Sequence, residues 1–85
     1  MNRYLIVSPH LAEQCDQAIH DLNAAGFLHF FEWGCKDNDH TAYAIVESEN
    51  LEHARQIVPW YLREKSRIVK LVKFEVADNA HRIVE

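Results

Sequence analysis

Glycine and proline are scarce in this chain, two of each among 85 residues. That scarcity leaves no flexible linker and no low-complexity stretch. A chain of 85 residues also encloses one hydrophobic core rather than two. Long apolar runs are missing as well, the longest falling well short of the roughly 20 residues a membrane helix needs. The opening segment, Met1 to Val7, is too short an apolar run for a secretory signal and reads as a strand. Positive charge is in short supply: nine Lys and Arg against thirteen Asp and Glu, for a net charge of -4. A general nucleic-acid binder, which needs a basic face against phosphates, is disfavoured by that balance. Cysteine is limited to Cys15 and Cys35. Without an export signal these are expected as reduced thiols in the cytoplasm.

What is present reads as a folded α+β domain. The apolar share, 48%, is that of an ordinary globular protein. Residues Arg3 to Ser8, rich in β-branched and aromatic types, predict a first strand. Ser8-Pro9 then suits a helix start, with serine as cap and proline in the first turn. Leu11, Cys15, Ala18, Ile19, Leu22 and Ala25 share one helical stripe, and Gly26 closes it. Leu28 to Lys36 predicts a second strand, Asp37-Asn38-Asp39 a tight turn, and His40 to Ser48 a third strand in a hairpin. Asn50 caps a second helix through Leu51, Ala54 and Val58 towards Tyr61 or Leu62, broken or kinked by Pro59. Ser66 to Val76 predicts a fourth strand, so residues 1–76 form the domain and 77–85 a tail with room for a short helix. The order βαββαβ is the ferredoxin-like arrangement, an antiparallel sheet of order 4-1-3-2 with both helices on one face.

A sheet with one wet face should alternate apolar with polar residues. Here Leu5 and Val7 oppose Tyr4 and Ile6, and Ala42, Ala44 and Val46 oppose Tyr43 and Ile45. Both parities are apolar, so the face away from the helices needs a cover. A homodimer packed sheet to sheet supplies one.

The topology gathers the chemically able side chains at one end of the sheet. Foremost are His10, Cys15, Cys35 and His40, two imidazoles and two thiols of the kind zinc or another transition metal prefers. Their spacing matches no established zinc motif, and Cys15 on a buried stripe also reads as a small hydrophobe. Thiol chemistry is a second option, as a thiolate–imidazolium pair or a reversible Cys15–Cys35 disulfide. A third is a small-molecule pocket lined by Trp33, Tyr43, Trp60 and Tyr61 with Arg63 as a polar group. The basic run Arg63, Lys65, Arg67, Lys70 and Lys73 reads as a charged edge strand or an anion site.

The stretch Glu32-Trp33-Gly34-Cys35-Lys36-Asp37-Asn38-Asp39-His40-Thr41-Ala42-Tyr43-Ala44-Ile45-Val46-Glu47, with Ser8-Pro9-His10 before it and Val58-Pro59, Arg63 and Lys73-Phe74 after it, resembles small bacterial and archaeal proteins of similar length. Those have no assigned activity and in turn resemble the dimeric α+β-barrel group. The resemblance implies a ferredoxin-like protomer and a paired-sheet dimer. Its pattern usually has glycine where this chain has Asn38. It implies no catalytic residue, because the wider group spans isomerases, monooxygenases, haem-degrading enzymes and ligand sensors. The expected function is therefore a homodimer binding a small ligand at the sheet and helix end. A metal-binding protein using His10, Cys35, His40 and Cys15, or a non-catalytic interaction module, are the alternatives.

Overall fold

The computed structural model describes residues 1–75 of the chain. The predicted tail from Ala77, with Val76 and His81, lies outside the described residues. Four strands form one antiparallel sheet: β1 (Asn2–Pro9), β2 (Phe31–Trp33), β3 (Thr41–Ser48) and β4 (Arg67–Leu71). Their order across the sheet is β2-β3-β1-β4, which read from the opposite edge is 4-1-3-2. Two helices, α1 (Cys15–Ala25) and α2 (Leu51–Arg55), cover one face.

The register decides which residues meet the helices. Tyr4 pairs with Val46, Ile6 with Ala44 and Ser8 with Ala42 across β1 and β3, while Phe31 pairs with Ala44 and Trp33 with Ala42 across β2 and β3. Paired residues share a face, so these rows all point the same way. Tyr4, Ile6, Phe31, Ala42, Ala44 and Val46 are buried there against Ala18 and Leu22 of α1, Ala54 of α2, and Val58 and Leu62 beyond it. Ile6 is fully buried, and truncating such a side chain to alanine costs about 2–5 kcal/mol. The opposite parity, Leu5, Val7, Tyr43 and Ile45, lies on the other face, where Ile45 is 52% exposed.

Several element boundaries differ from the sequence expectation. Pro9 does not open a helix. It ends β1, paired with Thr41, because its fixed φ suits extended backbone as well as a first helical turn. A three-residue 3-10 turn, Ala12–Gln14, intervenes before α1. Strand β2 is only Phe31–Trp33, since 3-10 turns at Leu28–Phe30 and Cys35–Asp37 take up its expected ends. Helix α2 stops at Arg55, and a separate 3-10 segment, Trp60–Lys65, follows Pro59. The Arg63 side chain donates to the carbonyls of Val58 (2.8 Å) and Gln56 (3.2 Å). It thus satisfies acceptors that the broken helix leaves over. Leu51, expected on the inner stripe, is exposed. Gly26 ends α1 with φ 84°, the left-handed cap that glycine takes without steric cost. Asn50 caps α2 by accepting from the His53 N–H at 2.9 Å.

Candidate metal centre

Two registers run on past the ends of their strands and meet at one row. The His10 N–H donates to the His40 carbonyl at 2.9 Å, continuing the β1–β3 ladder one step beyond Pro9 and Thr41. The Gly34 N–H donates to the Thr41 carbonyl at 3.1 Å, continuing the β2–β3 ladder towards Cys35 and His40. His10 and His40 therefore carry the parity of Ser8 and Ala42, the helix-facing side. Cys15, the first residue of α1, arrives over this row from above.

The four side chains converge. One candidate ligand atom from each of His10, Cys15, Cys35 and His40 lies within 4.8 Å of all the others. His10 Nε2 is 3.1 Å from Cys15 Sγ and 3.4 Å from Cys35 Sγ. The two sulfurs are 3.1 Å apart as free thiols, and Cys15 Sγ is 3.6 Å from His40 Nδ1. A tetrahedral zinc ion with bonds of ~2.3 Å to sulfur and ~2.0 Å to nitrogen sets its ligand atoms about 3.3–3.8 Å apart. The cluster is already near that spacing, and shifts on the order of 1 Å in half-buried side chains complete it. Mixed thiolate and imidazole ligands in a tetrahedral set suit zinc better than the oxygen-seeking cations.

The surroundings orient the set. His10, only 8% exposed, has its Nδ1 3.3 Å from the Ser8 carbonyl, and donating there aims Nε2 at the sulfurs. The Trp33 ring meets His10 edge-on, centroids 5.5 Å apart, and shields it. The turn between His10 and Cys15 is held by the Leu11 N–H, which donates to Gln14 Oε1 at 2.9 Å. On the hairpin side the Gly34 carbonyl accepts from both Asp37 and Asp39, and a Cβ at Gly34 would sit 2.7 Å from the Asp39 carbonyl oxygen. Asn38 takes the left-handed conformation, φ 61°, which asparagine tolerates better than most residues. Asp39 is already engaged, accepting from Tyr43 Oη at 2.6 Å and Thr41 Oγ1 at 2.8 Å. The Tyr43 bond, then the Thr41 bond, hold its carboxyl below the ordinary value. With no metal present the Cys15 thiol is pushed up from 9.0 to about 11, first by its hydrogen bond with Cys35, then by burial, then by the charges of Cys35 and Asp16. A divalent cation bound by these sulfurs would displace thiol protons.

The side chains expected to line one ligand pocket are divided among three places. Trp33 packs on His10 of the His and Cys cluster. Tyr43 stands on the open sheet face, bonded to Asp39. Trp60, Tyr61 and Arg63 line a groove of about 360 Å³ over the C-terminal part of α1, where the Tyr61 hydroxyl donates to Asp21 at 2.6 Å. His20, His29 and His53 are exposed. Sequence reasoning missed the roles of Gly34 and Gln14 and the Ser8 carbonyl. A glycine directly before a candidate ligand in a tight hairpin was the available signal for the first.

No protein family, curated protein or solved structure matches this chain. Function is therefore read from the site itself. No helix among the described residues is long and apolar enough to cross a membrane.

Proposed function

We propose that this chain is a transition-metal-binding domain in which His10, Cys15, Cys35 and His40 hold one zinc ion. The observation that carries the reading is the convergence of four donor atoms within 4.8 Å from separate segments of the chain. Four protein ligands close a tetrahedron, which favours a structural ion over a catalytic one with an open position. Size points the same way. A domain this small gains little from its core alone, and a metal tying α1 to two strand ends adds what burial does not. The metal reading takes precedence over a shared small-ligand pocket, because Trp33 and Tyr43 lie apart from the groove that Trp60, Tyr61 and Arg63 line.

Native mass spectrometry of protein purified without chelator tests it. The expected result is one zinc ion per chain, absent from His40→Ala, with cobalt substitution giving thiolate charge-transfer bands. A bare chain that gives no such bands with cobalt sinks the reading.

The protomer is read as a ferredoxin-like unit that pairs through its open sheet face, in the manner of dimeric α+β barrels. Leu5, Ile45 and Val69 form an apolar row there, flanked by a row in which Glu32 lies towards the β2 edge and Arg67 on β4. A two-fold axis along the strands sets Glu32 against the partner's Arg67, and the reverse. Sedimentation should show a dimer, and Ile45→Glu should give a folded monomer. A wild-type monomer at high concentration ends the dimer proposal. Reduced thiols at the centre fit a cytoplasmic setting.

A further inference from the structure

We propose that Cys15 and Cys35 are also a redox couple: a hydroperoxide joins them in a disulfide, and the metal is expelled. The release step rests on the metal reading above, while the disulfide itself does not. The sulfurs are 3.1 Å apart, against a bond length of ~2.05 Å, so about 1 Å of approach makes the bond. Each lies at the first position of its element rather than inside one. Cys15 follows the 3-10 turn Ala12–Gln14, and Cys35 begins the 3-10 turn Cys35–Asp37. Both side chains are half-buried, open to an oxidant the size of hydrogen peroxide. No third cysteine is present in the chain, so an oxidised sulfur has one intramolecular partner.

The chemistry balances with peroxide as the only oxidant. One thiolate sulfur attacks a peroxide oxygen, the O–O bond breaks, and hydroxide leaves to become water on taking up a proton. The sulfenic acid so formed is attacked by the second thiolate. Its S–O bond breaks, a second hydroxide leaves as water, and the S–S bond forms. Two electrons pass from the two sulfurs to peroxide, and zinc departs unchanged as the divalent ion. Only His10 and His40 then remain as ligands, too few to retain it. The disulfide spans the two positions the metal had linked, α1 and the hairpin, so the layers stay joined while the ion is lost.

Zinc-loaded protein is treated with one equivalent of hydrogen peroxide. Released zinc is read with a chromophoric chelator, free thiols are titrated, and the intact mass is measured. One zinc ion released per chain, two thiols lost, a mass lower by two hydrogens, and reversal by dithiothreitol with zinc are expected. Mass gained as oxygen, an intermolecular disulfide, or retained zinc after excess peroxide overturns the couple. The two readings fail separately. A chain that takes up no zinc yet forms the internal disulfide removes the metal reading and keeps the couple. A chain that holds zinc and forms no disulfide does the opposite.

Discussion

The backbone N–H of His10 donates to the carbonyl of His40 at 2.9 Å, and that bond makes the two imidazoles neighbours on one face of the sheet. Because side chains alternate along a strand, a shift of one residue would put an imidazole on the opposite face. Composition at this end of the sheet matters less than parity. The exchange His10→Leu with Leu11→His keeps every residue type and moves the imidazole to a site that is 53% exposed. Metal stoichiometry should fall from one to zero while the far-ultraviolet circular dichroism stays that of the parent. Retention of a full equivalent of zinc would show that His10 is not a ligand.

Gly34 and Gly26 separate the hairpin that carries Cys35 and His40 from the general fold. A Cβ on Gly34 would lie 2.7 Å from the Asp39 carbonyl oxygen, a backbone atom that moves only if the hairpin opens. Since Cys35 and His40 flank that hairpin, Gly34→Ala should weaken zinc binding at least about tenfold and cost about 1–3 kcal/mol. Gly26 has open space around it but a φ of 84°. Gly26→Ala should therefore destabilise by about 1 kcal/mol and leave metal affinity unchanged. Chemical denaturation with a parallel zinc titration reads both. Equal effects on affinity would remove any special role for Gly34.

Much of the fold was legible because long periodic segments announce themselves. The β-branched and aromatic run of Arg3 to Ser8, the turn residues Asp37 to Asp39 before the third strand, the capping Asn50 and the closing Gly26 are local signals, and each sits where expected. The short elements were not legible. Leu28 to Lys36 has the composition of a strand, yet only three of its residues pair, since hydrogen bonds to the Gly34 carbonyl turn the chain away after Trp33. Pro9 satisfied two backbone readings equally. The four metal-ligating candidates were identifiable by residue type and by which strand ends adjoin. Their distances were not, because they depend on ladder bonds at His10 and Gly34 that lie outside any motif. Within one protomer the expected pocket lining is divided for a similar reason: Tyr43 has the parity of the open face and Trp33 that of the helix face.

Removing the metal should be felt as lost stability. An ion bound only by the folded chain stabilises it by about 4 kcal/mol when free metal exceeds its dissociation constant a thousandfold. In a domain of this size each kcal/mol moves the melting temperature by about 4–8 °C. Chelation should lower Tm by about 15 °C or more, and cobalt or zinc should restore it. His40→Ala should melt at the chelated temperature with or without zinc. A Tm indifferent to chelator would mean that the folded chain is fully formed without the ion.

Titration supplies the last test, and its two parts have opposite signs. In the metal-free chain the Cys15 thiol is raised from 9.0 to about 11, so the fold favours the neutral form. That contribution is complete below pH 9 and is lost as pH rises through about 11, so the metal-free domain should weaken across that window. Zinc binding runs the other way, because each thiol that becomes a ligand gives up its proton. With two thiols coordinated, affinity should rise about a hundredfold per pH unit from about pH 7 to 8.5. Competition against a chromophoric chelator at several pH values measures the slope. A tenfold rise per unit would assign one thiolate to the metal and leave the other cysteine a bystander. No rise would leave only the imidazoles as ligands, and the two-thiolate centre would be wrong.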